Sequence, residues 1–88
     1  MLAFVGVGKV SSIKSRALDT PMGNILVLDV RLLVMNIHTS NEEVYHGTII
    51  GGVARDFNTL VKVDNVIEVA GNINNTGFMN ILSFKKVN

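Results

Sequence analysis

Between Ile25 and Asn36 apolar side chains recur at every second position. Leu26, Leu28, Val30, Leu32 and Val34 share one face, and Ile25, Val27, Asp29, Arg31, Leu33 and Met35 share the other. A period of two is that of a β-strand, whose successive side chains point to opposite faces. The first set predicts a strand that lines a core, while the second is mixed rather than polar. Leu2 to Val10 reads as an earlier strand, with Gly6 and Gly8 as places where it bends or lets another backbone come close. Asp19-Thr20-Pro21-Met22-Gly23-Asn24 is a turn cluster, since Pro fixes φ and Gly and Asn tolerate positive φ. His38 to Glu43 is polar and loop-like, and Val44 to Gly51 carries the β-branched and aromatic residues of a third strand, ended by Gly51-Gly52. Val53 to Val61 alone has helical spacing, with Val53, Phe57, Leu60 and Val61 on one side. Asp64-Asn65 turns into a fourth strand, Val66 to Ile73, and Asn74-Asn75-Thr76-Gly77 is a tight hairpin into a fifth, Phe78 to Val87.

Three strands, a short helix and two strands is the order of the five-stranded Greek-key OB barrel, so the expected class is all-β with the helix between strands 3 and 4. A chain of 88 residues has room for one domain, taken as residues 1–88, and none for a separate catalytic domain. So short a chain buries only about 60–65% of its unfolded surface, which makes self-association a natural way to bury more. With 48% hydrophobic and 17% charged residues the composition is that of a globular protein. The net charge of +1 supplies no global basic field, so any affinity for nucleic acid must come from local patches. Zero cysteines exclude disulfides and thiolate–zinc sites and fit a reducing compartment. The apolar stretch from Met1 to Val7 has no basic lead-in and is broken by Gly6 and Gly8, so it fails as a signal peptide or membrane span. A cytoplasmic location with no membrane partner is expected. Asn74-Asn75-Thr76 fits the glycosylation pattern but, without a secretory signal, reads as a turn.

Tyr45-His46-Gly47-Thr48-Ile49-Ile50-Gly51-Gly52-Val53-Ala54, followed by Val66-Ile67-Glu68-Val69-Ala70-Gly71-Asn72-Ile73, resembles the bacterial and phage single-stranded DNA-binding protein family. In that family an aromatic-His pair opens the third strand, a helix follows, and a strand of alternating apolar residues ending in Gly comes next. Gly8-Lys9-Val10 and Thr20-Pro21-Met22-Gly23-Asn24-Ile25 are similar to its first strand and the turn into its second. The resemblance spans nearly the whole chain and rests on the order and spacing of the motifs. There are departures: no Trp, a hairpin at 74–77 too short to be a DNA-wrapping loop, and an end at Val87-Asn88 without an acidic partner-recruiting tail. A short, tail-less chain is similar to the primosomal replication-restart OB proteins and to phage- and plasmid-encoded binding proteins. The resemblance implies a single-stranded DNA partner, with RNA left open, no cofactor, and a role in replication, recombination or repair that includes replication proteins as potential partners.

Single-strand binding needs a cationic groove for phosphates and aromatic rings on which bases stack. By the resemblance, Tyr45 stands where the family places a stacking aromatic; the alternative is a core or interface tyrosine with a wet hydroxyl. Phe78 either extends the stacking platform or anchors its hairpin in the core. Phe4, Phe57 and Phe84 read as core. Lys9, Lys14 and Arg16 around the first strand, Arg31 on the second, and Lys85-Lys86 on the fifth are the phosphate candidates, against the alternative of solvated surface charge. Arg31 stands out because it shares a strand face with Val27 and Leu33, and its other reading is a partner of Asp29 or of another subunit. Ile25, Val27, Leu33 and Met35 add apolar surface to a strand whose opposite face already fills the core, so they are the expected interface of a homo-oligomer, a dimer or tetramer.

Enzymatic motifs fail on inspection. Gly8-Lys9 suggests a phosphate loop, but Ala3 stands where the first Gly is needed and Val10 where Ser or Thr must bind magnesium. Gly6-Val7-Gly8 lacks the third Gly of a dinucleotide loop. His38 and His46, with Glu42 and Glu43 between them, fit no metal-ligand spacing, and His46 reads as a core or interface histidine. No nucleophile–base set is evident. The expected function is that of a binding module for single-stranded DNA. The competing reading is a protein–protein adaptor that docks through the apolar second face of strand two, favoured by low net charge and scarce aromatics.

Overall fold

The computed structural model describes residues 2–36 and 39–87. Its elements are β1 (Leu2–Thr20), β2 (Gly23–Asn36), β3 (Asn41–Ile50), α1 (Gly52–Leu60), β4 (Val66–Ile73) and β5 (Met79–Lys86). The strands close into a barrel in the order β1-β2-β3-β5-β4. All neighbours are antiparallel except β3 and β5, which meet in parallel at Gly47↔Met79 and Thr48↔Asn80. This is the expected arrangement, with the helix between β3 and β4.

The barrel closes because β1 serves two neighbours in turn. Leu2 to Lys9 pair with β4, and Lys9 to Thr20 pair with β2. The first strand therefore ends at Thr20 and not at Val10. Residues 14–19 are all exposed, so no buried face imposes an apolar alternation, and the polar run Lys14-Ser15-Arg16 leaves no strand signal. Gly8 does let another backbone come close, since a Cβ there would lie 3.0 Å from the Leu33 carbonyl oxygen, but the irregularity of β1 is at neither glycine: the register shifts between Val10 and Ser12, where the strand passes from one partner to the other. Pro21 and Met22 make the turn to β2. Thr20 Oγ1 accepts from the Met22 N–H at 3.2 Å and donates to the Gly23 carbonyl at 2.7 Å. β3 starts at Asn41, inside the stretch expected as loop, and is paired there with Asn36 of β2. Phe78 precedes β5 and belongs to the hairpin.

The predicted face of β2 lines the core: Leu28, Val30 and Leu32 are buried, and Leu26 and Val34 pack against them. Val10, Ile49, Ile67, Val69, Met79 and Ile81 complete the interior. The helix closes one end of the barrel with Ala54 and Phe57, the latter edge-on to Phe84 at 5.0 Å between ring centroids. Val61, just past the helix, is buried with them. Leu60, expected on the apolar side, is 57% exposed; one turn on from Phe57 it has rotated to the rim, and Ala54 fills the place facing the sheet. Gly51 enters the helix at φ 75°, a conformation that L side chains rarely adopt.

Candidate functional site

Strand registers assemble a row of outward-facing side chains across three strands. Ser12 of β1 lies opposite Arg31 of β2, which lies opposite His46 of β3; one row along, Lys14, Asp29 and Thr48 are aligned in the same way. Phe78, from the β4–β5 hairpin, completes a cleft of about 140 Å³ lined by Ser12, Lys14, Asp29, Arg31, His46 and Phe78. The His46 and Phe78 rings lie nearly parallel, 20° apart, with centroids 6.4 Å from each other. Phe78 is 43% exposed and turns aromatic surface to solvent.

Asn74 fixes that aromatic. Its Oδ1 accepts from the Phe78 N–H at 3.0 Å, from the Thr76 N–H at 3.0 Å and from the Thr76 hydroxyl at 2.7 Å. Its own N–H donates to the Phe78 carbonyl at 3.0 Å. A side chain that bonds its own turn in this way is an Asx arrangement, which explains the Asn at the head of the hairpin.

The charges of the cleft are divided. Arg16 Nε donates to Asp29 Oδ2 at 2.8 Å. That hydrogen bond, reinforced by the carboxylate charge, raises the pKa of Arg16. Asp29 is thus engaged by Arg16 and not by Arg31. Among the described residues neither Arg31 nor Lys14 makes an ion pair, so two cations flank the stacked rings with their charge uncommitted.

The remaining residues singled out in the sequence lie elsewhere. Tyr45 points from the opposite face of β3, packs against the core beside Phe4 at 5.9 Å between centroids, and donates its hydroxyl to Glu43 Oε2 at 2.7 Å. The structure does not bring it to the cleft. Lys9, between Leu33 and Val66, makes a loose exposed contact with Asp64 at 3.9 Å. Lys85 and Lys86 sit opposite Glu68 and Ile67 at the far end of β5, roughly 20 Å along the strand from Met79 at the usual rise per residue. Of the expected interface set, Met35 is exposed and Ile25 and Leu33 are half-buried, whereas Val27 is 1% exposed within the chain itself and offers no surface. His38 falls outside the described residues. Of the two readings of His46, core or interface, the structure removes the first: the side chain is exposed on the outer face. Its place could be found only by setting β3 in register with β2, which puts it opposite Arg31.

The sequence matches no family model and no curated protein. The fold does have solved counterparts. A mitochondrial single-stranded DNA-binding protein of S. cerevisiae superposes with a TM-score of 0.78 at 14% identity, covering 98% of this chain and 93% of that one. The chain is an OB-fold barrel. The protein PriB of Ralstonia solanacearum matches at 0.74 and 13% identity over 100% of this OB fold and 99% of its own chain. A small single-stranded DNA-binding protein of Streptomyces coelicolor matches at 0.64 and 11% identity over 97% and 90%. The OB fold is thus shared along almost the whole length on each side.

Proposed function

We propose that this OB fold binds single-stranded nucleic acid, DNA in the first place, across the outer face of β1, β2 and β3. The observation that carries the proposal is the His46–Phe78 ring pair flanked by the uncommitted cations Arg31 and Lys14. Bases stack on the exposed face of Phe78 and the edge of His46, and the neighbouring phosphates meet Arg31 and Lys14. Stacking contributes about 1–3 kcal/mol per base and tolerates any sequence, because every base has a π-face. A net charge of only +1 supplies no field to attract a duplex along the chain's length, so a local contact of this kind is what its composition allows. Full-length fold likeness to proteins described as single-stranded DNA-binding, and to PriB, supports the same reading. The role is one of binding and presenting a strand, without a chemical step.

The test is fluorescence anisotropy of a labelled oligo(dT) over a salt series. Each phosphate contact releases condensed counterions, so Arg31→Ala and Lys14→Ala should each reduce the slope of log affinity against log salt by about 0.7. An absence of binding by the wild type at low salt overturns the proposal, and an unchanged slope in each variant removes these two residues from the site.

A further inference from the structure

Phe78 is shared by two clefts. Beyond it from Arg31 lies a second recess of about 280 Å³, with Ile50 and Phe78 itself as the exposed apolar walls and with Thr48, Asn72 and Asn80 along it. The ladder explains the grouping. Thr48 is in register with Asn80, and Asn80 with Asn72, so three polar side chains project in one row from β3, β5 and β4. The same row continues through Asp29 to Lys14 in the first cleft. Asn74 is committed to the hairpin, but the Asn72 and Asn80 carboxamides make no hydrogen bond among the described residues.

The geometry points to a base-reading subsite in this recess, one that seats an adenine next to the base stacked on Phe78. It rests on the single-strand reading above. A carboxamide presents a donor beside an acceptor, the complement of adenine N6–H and N7, whereas guanine offers two acceptors on the corresponding edge. The apolar walls favour the two rings of a purine over the single ring of a pyrimidine. Phosphate contacts in the first cleft position the strand without reading it, while the carboxamides address a base edge. The site thus combines a sequence-blind half and a sequence-reading half, with Phe78 between them.

The test compares labelled oligo(dA), oligo(dT) and oligo(dC) of equal length on the wild type, Asn72→Leu and Asn80→Leu. Leucine removes the donor and acceptor at similar volume. The wild type should favour oligo(dA), and each variant should lose about tenfold on oligo(dA), within the range of one bidentate base contact, with little change on oligo(dT). Equal losses on all three sequences, or none, overturn the subsite while leaving single-strand binding in place. Failure of the wild type to bind any of them removes the underlying reading and the subsite with it. Circular dichroism controls for folding, and if Asn72→Leu is disturbed, the exposed Asn80 decides the matter alone.

Discussion

Tyr45 and His46 are neighbours in the chain that serve opposite sides of one sheet, and their substitutions should fail in different ways. Tyr45→Ala removes a half-buried ring packed on Phe4 and the core, and should cost about 2 kcal/mol of stability, below the full range for a buried aromatic. Tyr45→Phe keeps that packing and loses only the hydroxyl. The bond to Glu43 comes first among the causes that raise the Tyr45 pKa, followed by burial. A phenol whose pKa is raised on folding contributes stability that is fully present below its unfolded value near pH 10 and is lost as pH rises through the folded value. Urea titrations should therefore show a wild-type loss of stability above about pH 10 that Tyr45→Phe lacks; identical alkaline profiles would mean that the Glu43 bond does not matter in solution. Phe78→Ala should do the reverse of Tyr45→Ala. It should weaken single-strand binding by about 1–3 kcal/mol with little shift in melting temperature, since the ring is substantially exposed.

At the scale of elements, the β4–β5 ladder carries a constraint that a single strand does not reveal. A Cβ on Gly71 would run into the carbonyl oxygen of Asn80, at the point where the ladder shifts register between Ala70 and Gly71. Gly71→Ala must push two paired backbones apart and should destabilise by about 1–3 kcal/mol, in the range of overpacking. Gly52→Ala is the control. It stands in the helix with nothing near its missing Cβ, and reducing the freedom of the unfolded chain should stabilise by about 0.4–1 kcal/mol. Thermal melts of the two variants should move in opposite directions. The Gly71 constraint was legible only as a glycine at the end of an apolar alternation, because its reason lies on the partner strand. The same holds across the fold. β2 and β4 were readable because one face of each is buried and the alternation follows. The second half of β1 was not, because its side chains are exposed and its pairing depends on β2. In the candidate site, Arg31 was legible as a charge on a largely apolar strand face, and Phe78 as an aromatic beside a hairpin with a platform and a core reading both open. His46 and the Asn72–Asn80 pair were not, since cross-strand register, and no local pattern, joins them to the site.

On the scale of the whole molecule, the long β1–β2 hairpin makes the chain elongated, 46 × 29 × 17 Å, and leaves apolar side chains outside the barrel. Leu33 and Val44 are cross-strand partners beside the exposed Met35, one row beyond Arg31 and His46. With Val27 buried within the chain, the interface expected of a dimer or tetramer reduces to Ile25, Leu33 and Met35. Placing Met35→Glu on that surface should shift sedimentation toward monomer if the surface is used; a wild-type monomer at high micromolar concentration would remove it. The same geometry makes the salt dependence a test of position and not of charge alone. Lys86 carries the same charge as Lys14 but lies at the far end of β5, away from the cleft. Within one barrel, Lys86→Ala should leave the slope of log affinity against log salt unchanged while Lys14→Ala reduces it by about 0.7. A strand that follows the outer face around an assembly would meet Lys86 as well, and the Lys86→Ala slope would then fall in the oligomer but not in the Met35→Glu monomer. Measuring the two lysine variants in each background separates a site confined to one cleft from a path that runs between barrels.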